Sequence, residues 1–186
     1  NSIAFFNSND IYPVSADSTL PFEQHRDIFY LSGIDQEESI LVLFPDSKKN
    51  SFKEMLFIRE TNDHITHWEG EKLTKEKAKD ISGINNIYWT NEFENILIQI
   101  IKQSNNVYIN TNEHYRQNVE TQTREDRFIE KLKKIGGINF KKSNPILQKQ
   151  RSIKDEIEIK LIEHACEITR KGFESCLLYT SDAADE

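Results

Sequence analysis

Cysteine is scarce in this chain. The 186 residues hold two, Cys166 and Cys176, both near the end. Two thiols so placed build no disulfide framework, and a reducing cytoplasm is the expected setting. A basic excess is missing as well. Lys and Arg number 24 against 31 Asp and Glu, a net charge of -7. Nucleic-acid binders present a basic face, so that class of partner is set aside, and the acidic balance serves solubility. No apolar run approaches the roughly 18 residues that cross a bilayer, so no membrane partner is expected. The opening NSIAFFNSND lacks the basic start and long apolar centre of a secretory signal. Position 1 is not Met, so a native start is expected to be missing, and there is no internal repeat or low-complexity block.

What is present suits one full domain and little more. The hydrophobic share is 37% and the charged share 30%, enough for a core beneath a heavily charged surface. SIAFF (2–6), ILVLF (40–44) and EMLFIRE (54–60) read as strands. The latter two are continuous apolar runs, as in central strands covered on both faces. DSKKNS between them fits a hairpin-like turn, and DHITHWEG (63–70) reads as a further strand ended by Gly70. In the second half strands and helices alternate. LTKEKAKDISG is a helix capped by Thr74 and closed by Gly83, and NIYW is a brief strand. EFENILIQIIKQ is a helix capped by Thr90 or Asn91, with Phe93, Leu97, Ile100 and Ile101 on one face. NVYIN is a strand, and TREDRFIEKLKKIGG an amphipathic helix stopped by Gly136 and Gly137. The fold class expected is α/β, a mixed sheet flanked by helices over residues 1–142.

Residues 143–151 read as a polar connector carrying Pro145. A strong helix then covers 152–175, with Ser152 as its cap and Asp155 three residues on. Ile157, Leu161, Ile162, Ile168 and Phe173 form its apolar stripe. Lying beyond a domain that already looks complete, it reads as the first helix of a second one. Without that domain it should fray, fold back or self-associate. CLLYTSDAADE (176–186) breaks the texture of the chain and is expected to be a non-native tail.

Val14 to Pro45 is the most informative segment. Its Phe29 and Tyr30 are expected in the core, with His25, Arg26 and Asp27 as a polar surface or edge network. His64 and His67 would point to opposite faces of a strand and could not chelate together, so no metal site is expected. His114 and His164 are expected to be isolated and exposed, and Cys166 a buried small hydrophobe.

Ser15-Ala16-Asp17, Pro21-Phe22 and Asp27-Ile28-Phe29-Tyr30-Leu31-Ser32-Gly33 stand in one order. Glu37-Glu38, the 40–44 strand, Trp68-Glu69-Gly70 and the helix starting SIKDEIE follow. This combination resembles the amino-terminal domain of aminopeptidase P, the Xaa-Pro aminopeptidases of the creatinase and prolidase superfamily. An Arg-rich first helix usual in that family is absent before SIAFF. The resemblance implies a creatinase-type amino-terminal domain followed by one helix of a missing pita-bread catalytic domain. It implies a parent hydrolase that releases an N-terminal residue preceding proline, a homo-oligomer acting on proline-containing peptides. It implies two Mn²⁺ or similar ions, held by two Asp, one His and two Glu that have no matching position here. The fragment alone is thus expected to contain no catalytic residue, bind no metal and be inactive. Its expected role is oligomerisation and control of substrate access. Trp68 is the first candidate, as an apolar wall against a proline ring, and Asp17 the second, as an anchor for a substrate amine or a cross-subunit Arg. The alternatives are a core Trp and a capping Asp. At the level of the whole chain they are a stand-alone non-catalytic interaction or oligomerisation module of the same fold, or a prolidase-type dipeptidase fragment.

Overall fold

The computed structural model describes residues 1–16, 18–111 and 121–182. The chain divides into two compact units, Asn1–Pro145 and Ile146–Glu186. The first is built on a six-stranded sheet. Its strands are β1 (Ser2–Asn7), β4 (Ile40–Leu43), β5 (Glu54–Ile58), β6 (Ile87–Trp89), β7 (Asn106–Ile109) and β8 (Asn139–Lys142). They lie in the order β6-β5-β4-β1-β7-β8. β4 runs antiparallel to both its neighbours, and the other pairs are parallel. Five strands therefore end at one edge of the sheet. A small hairpin, β2 (Pro13–Ser15) with β3 (Ser18–Thr19), follows β1.

The apolar runs form strands because both faces are covered. Ile40, Val42, Phe44, Met55 and Phe57 point to one side with Ile3, Phe5, Val107 and Ile109. There they meet Phe93, Leu97 and Ile100 of α4 (Phe93–Ile101) and Phe128 and Leu132 of α5 (Arg124–Ile135). Phe93 is the hub, edge-on to Phe57 at 5.0 Å between centroids and close to Phe5 and Phe128. Leu41, Leu56 and Ile58 point the other way and are fully buried with Ile28, Ile34, Ala78 and Ile84. α1 (Arg26–Ser32) and α3 (Lys75–Ser82) pack on that side.

Several expectations change. DHITHWE is a helix, α2 (Asp63–Glu69), not a strand. Asn62 caps it by accepting the Ile65 amide at 3.0 Å, and this local bond outweighs the strand preference of Ile65, Thr66 and Trp68. Neither Thr90 nor Asn91 is the N-cap of α4. A 3₁₀ turn, Thr90–Glu92, precedes it, and the Glu92 carboxylate accepts the Trp89 amide at 2.8 Å. Phe29 is 50% exposed rather than core, because α1 turns Asp27, Ile28 and Ser32 inward. The stretch read as a connector forms a helix, α6 (Asn144–Ser152), and the strand β8 stands just before it.

In the second unit, Ser152 ends α6 by donating to the Lys149 carbonyl. The cap of α7 (Glu156–Asp182) is instead Asp155, which accepts the amides of Ile157 and Glu158 at 2.9 and 2.8 Å. Glu158 returns a bond to the Asp155 amide at 3.0 Å, completing a capping box. The stripe residues Ile157, Leu161, Ile162, Ile168 and Phe173 are exposed. Cys166 is exposed as well, not buried, since it rides on a long helix face that nothing in its own unit covers. α7 continues through residue 182 and so includes part of the stretch read as a tail. Among the described residues, no helix is long and apolar enough to cross a membrane.

Candidate functional site

The common end of the parallel strands is where an α/β sheet gathers ligands, above all where consecutive connections leave to opposite sides. β1 is that point here, with β4 on one side and β7 on the other. A cleft of about 670 Å³ opens there, bordered by Asn7–Asp10 after β1, Asn110 after β7, Pro21 and His25 before α1, and Thr123–Glu125 at the start of α5. The Glu125 side chain enters the domain because it shares the inner stripe of α5 with Phe128 and Leu132. Its carboxylate accepts from the Asn7 amide nitrogen at 3.2 Å and from Asn7 Nδ2 at 2.9 Å. Burial pushes its pKa up to about 7, against the pull of the Asn7 bonds and the Arg124 charge. Arg124 donates to Ser8 Oγ at 3.0 Å, and burial lowers its pKa from the ordinary value. His25 is held below its usual range by burial, opposed by Asp27. Asp27 is itself buried and accepts from Asn110 Nδ2. The His25 to Asp27 group, expected as a polar surface or an edge network, is partly interior and ties α1 to the end of β7.

A second hollow of about 600 Å³ adjoins the first and reaches Glu37 and Glu38. Glu37 is nearly buried and receives Lys72 Nζ at 2.6 Å and Arg59 Nη1 at 3.5 Å. Burial pushes Glu37 up, but the Lys72 bond and the Lys72 and Arg59 charges outweigh it and hold the carboxyl below its ordinary value. Arg59, just past β5, also grips both oxygens of Glu69 at 2.6 and 2.8 Å, and this bond raises its pKa.

Trp68 sits on α2 beside Glu69, so its backbone is at this same end of the sheet. Its side chain lies outside the described residues, as does the whole of Asp17, between β2 and β3. His64 and His67 are three apart on a helix rather than a strand, so the opposite-face argument fails for them. Among the described residues, no three His, Cys, Asp or Glu side chains stand where they could hold a metal ion. His114 is outside the described residues, and His164 is exposed.

Glu125, Asn7, Arg124 and Arg59 were not singled out from sequence, and Glu37 was named only as part of the Glu37-Glu38 patch. One signal existed, a carboxylate at position 125 on the apolar stripe of an amphipathic helix. The Asn7 pairing had none, because 118 residues separate the partners.

Residues 1–108 match the family model described as aminopeptidase P, N-terminal domain. Xaa-Pro aminopeptidase 3 of Dictyostelium discoideum is 29% identical over 170 residues, covering 90% of this chain and 31% of that protein. The Xaa-Pro aminopeptidase of Haemophilus influenzae is 28% identical over 159 residues, covering 84% of this chain and 34% of the relative. The chain therefore spans about a third of the length of these curated relatives. The structure of Pseudomonas aeruginosa aminopeptidase PepP superposes with a TM-score of 0.75 at 21% identity, covering 90% of this chain and 38% of the other, which shows a shared fold.

Proposed function

The chain belongs to the aminopeptidase P N-terminal domain family, and from that premise we propose that it serves as the amino-terminal part of a Xaa-Pro aminopeptidase. That hydrolase releases an N-terminal residue that precedes proline. The chemistry belongs to a metal-dependent catalytic domain, using manganese or a similar divalent ion. This part controls the access of proline-containing peptides and joins subunits into a homo-oligomer, in the cytoplasm. The observation that carries the reading is the family match over residues 1–108, together with relatives named Xaa-Pro aminopeptidases.

Trp68 is the access wall in this reading, and Asp17 the anchor for a substrate amine. The placement of α2 at the strand ends supports a role for Trp68, because this edge carries the two hollows and the charged groups around them. The test uses the product of the full source gene and peptides with proline or alanine in second position. Cleavage confined to the proline peptides, with KM raised several-fold in Trp68→Ala and kcat little changed, is the expected result. Equal cleavage of both peptides removes the substrate assignment. An unchanged KM in Trp68→Ala removes the access role while leaving the family activity intact.

A further inference from the structure

We propose that α2 is an electrostatically latched arm that opens on its own while the sheet stays folded. The helix has seven residues, too short to persist in water without tertiary support. None of its described side chains is buried. Ile65 is half-buried, and polar attachments to the body stand at the C-terminal end of the helix. Arg59 holds Glu69 with two nitrogens at 2.6 and 2.8 Å. Three residues past the helix, Lys72 reaches Glu37 at 2.6 Å, and the Leu73 amide donates to Gln36 Oε1 at 2.7 Å. Gly70 joins the helix to those anchors at φ +81° with nothing near the place of a Cβ, so a bend there meets no side chain.

The body side of the latch is rigid. Ser39 Oγ donates to the Gln36 carbonyl at 2.8 Å, and the Ser8 amide donates to the Ser39 carbonyl at 2.9 Å. Glu38 takes a left-handed φ of 57° in the same turn, an arrangement that non-glycine residues adopt at a cost. The arm side is solvated, since the Glu69 side chain is 42% exposed against 23% for Arg59. Water and salt therefore reach the bidentate pair, which weakens with ionic strength. Glu37 is also a wall of the second hollow, so the carboxylate that secures the arm is shared with the cleft. The latch does not depend on the aminopeptidase reading. Where Trp68 serves access, the latch sets how much of the time that residue is in place.

Hydrogen exchange on the whole chain tests it, read by peptide at about 50 mM and about 500 mM salt. Amides in 63–69 should exchange faster at the higher salt, and about tenfold faster in Arg59→Gln, with β1 and β4 unchanged in both. Glu69→Gln, which leaves Arg59 beside Glu37 and Glu38, should speed exchange in 63–69 as well. Salt-independent exchange in 63–69, or exchange that rises there only together with β4, overturns the proposal. Should Arg59→Gln fail to fold, the salt series on the native chain decides.

Discussion

Glu125 gives this fold a pH dependence of definite sign. Its carboxyl goes from an ordinary value of 4.5 to about 7 because it is buried at the head of α5. For an acid whose pKa is raised on folding, the folded state holds the proton more tightly than the unfolded chain. Stability is then greatest below about 4.5, falls as pH rises toward 7, and levels off above that. At one pKa unit per 1.36 kcal/mol, the full loss by pH 8 is about 3 kcal/mol. Glu125→Gln keeps an oxygen to accept from Asn7 Nδ2 and removes the charge. The variant should match the native chain near pH 4.5 and exceed it by up to about 3 kcal/mol near pH 8. Urea unfolding followed by tryptophan fluorescence reads the right unit, since Trp68 and Trp89 both lie in the first. Subtracting the two pH profiles cancels every other titrating group. A difference that is flat with pH, or a variant less stable at pH 8 than at pH 4.5 relative to native, refutes the argument.

Phe93→Ala empties the meeting point of four rings and should cost about 3–5 kcal/mol in the same urea assay, while a loss under about 1 kcal/mol would mean that the cluster is loosely packed. Asp155→Ala removes the acceptor of two amides at the start of α7, so about 1 kcal/mol of helix stability and part of the helical circular dichroism should go, whereas Ser152→Ala should leave the signal of α7 unchanged. Gly33→Ala meets a φ of +68° and places a Cβ 3.3 Å from Ile81 Cγ2, a loss of roughly 1–2 kcal/mol by thermal unfolding.

Much of the sheet domain was legible because its signals are local. Ile40 to Phe44 and Met55 to Ile58 are unbroken apolar runs that only a doubly covered strand accommodates. Thr74 with Gly83, and Gly136 at the end of α5, mark helix ends that the structure uses as written. α2 was misread because three strand-favouring residues concealed a helix that one Asn cap and a distant Arg sustain. The cap of α7 was misread as Ser152; Asp155 with Glu158 also forms a capping pattern, and the chain uses that one. The cleft was the least legible part. Its polar groups come from Asn7, His25, Asn110 and Glu125, which only the strand order brings to one edge.

The most direct test of the central account is the reading frame of the source gene beyond the codon for Ser175. The account predicts that the frame runs on into a catalytic domain with spaced Asp, Asp, His, Glu and Glu metal ligands. A natural stop directly after Glu186 would contradict it and make a binding or oligomerisation module the function of this chain.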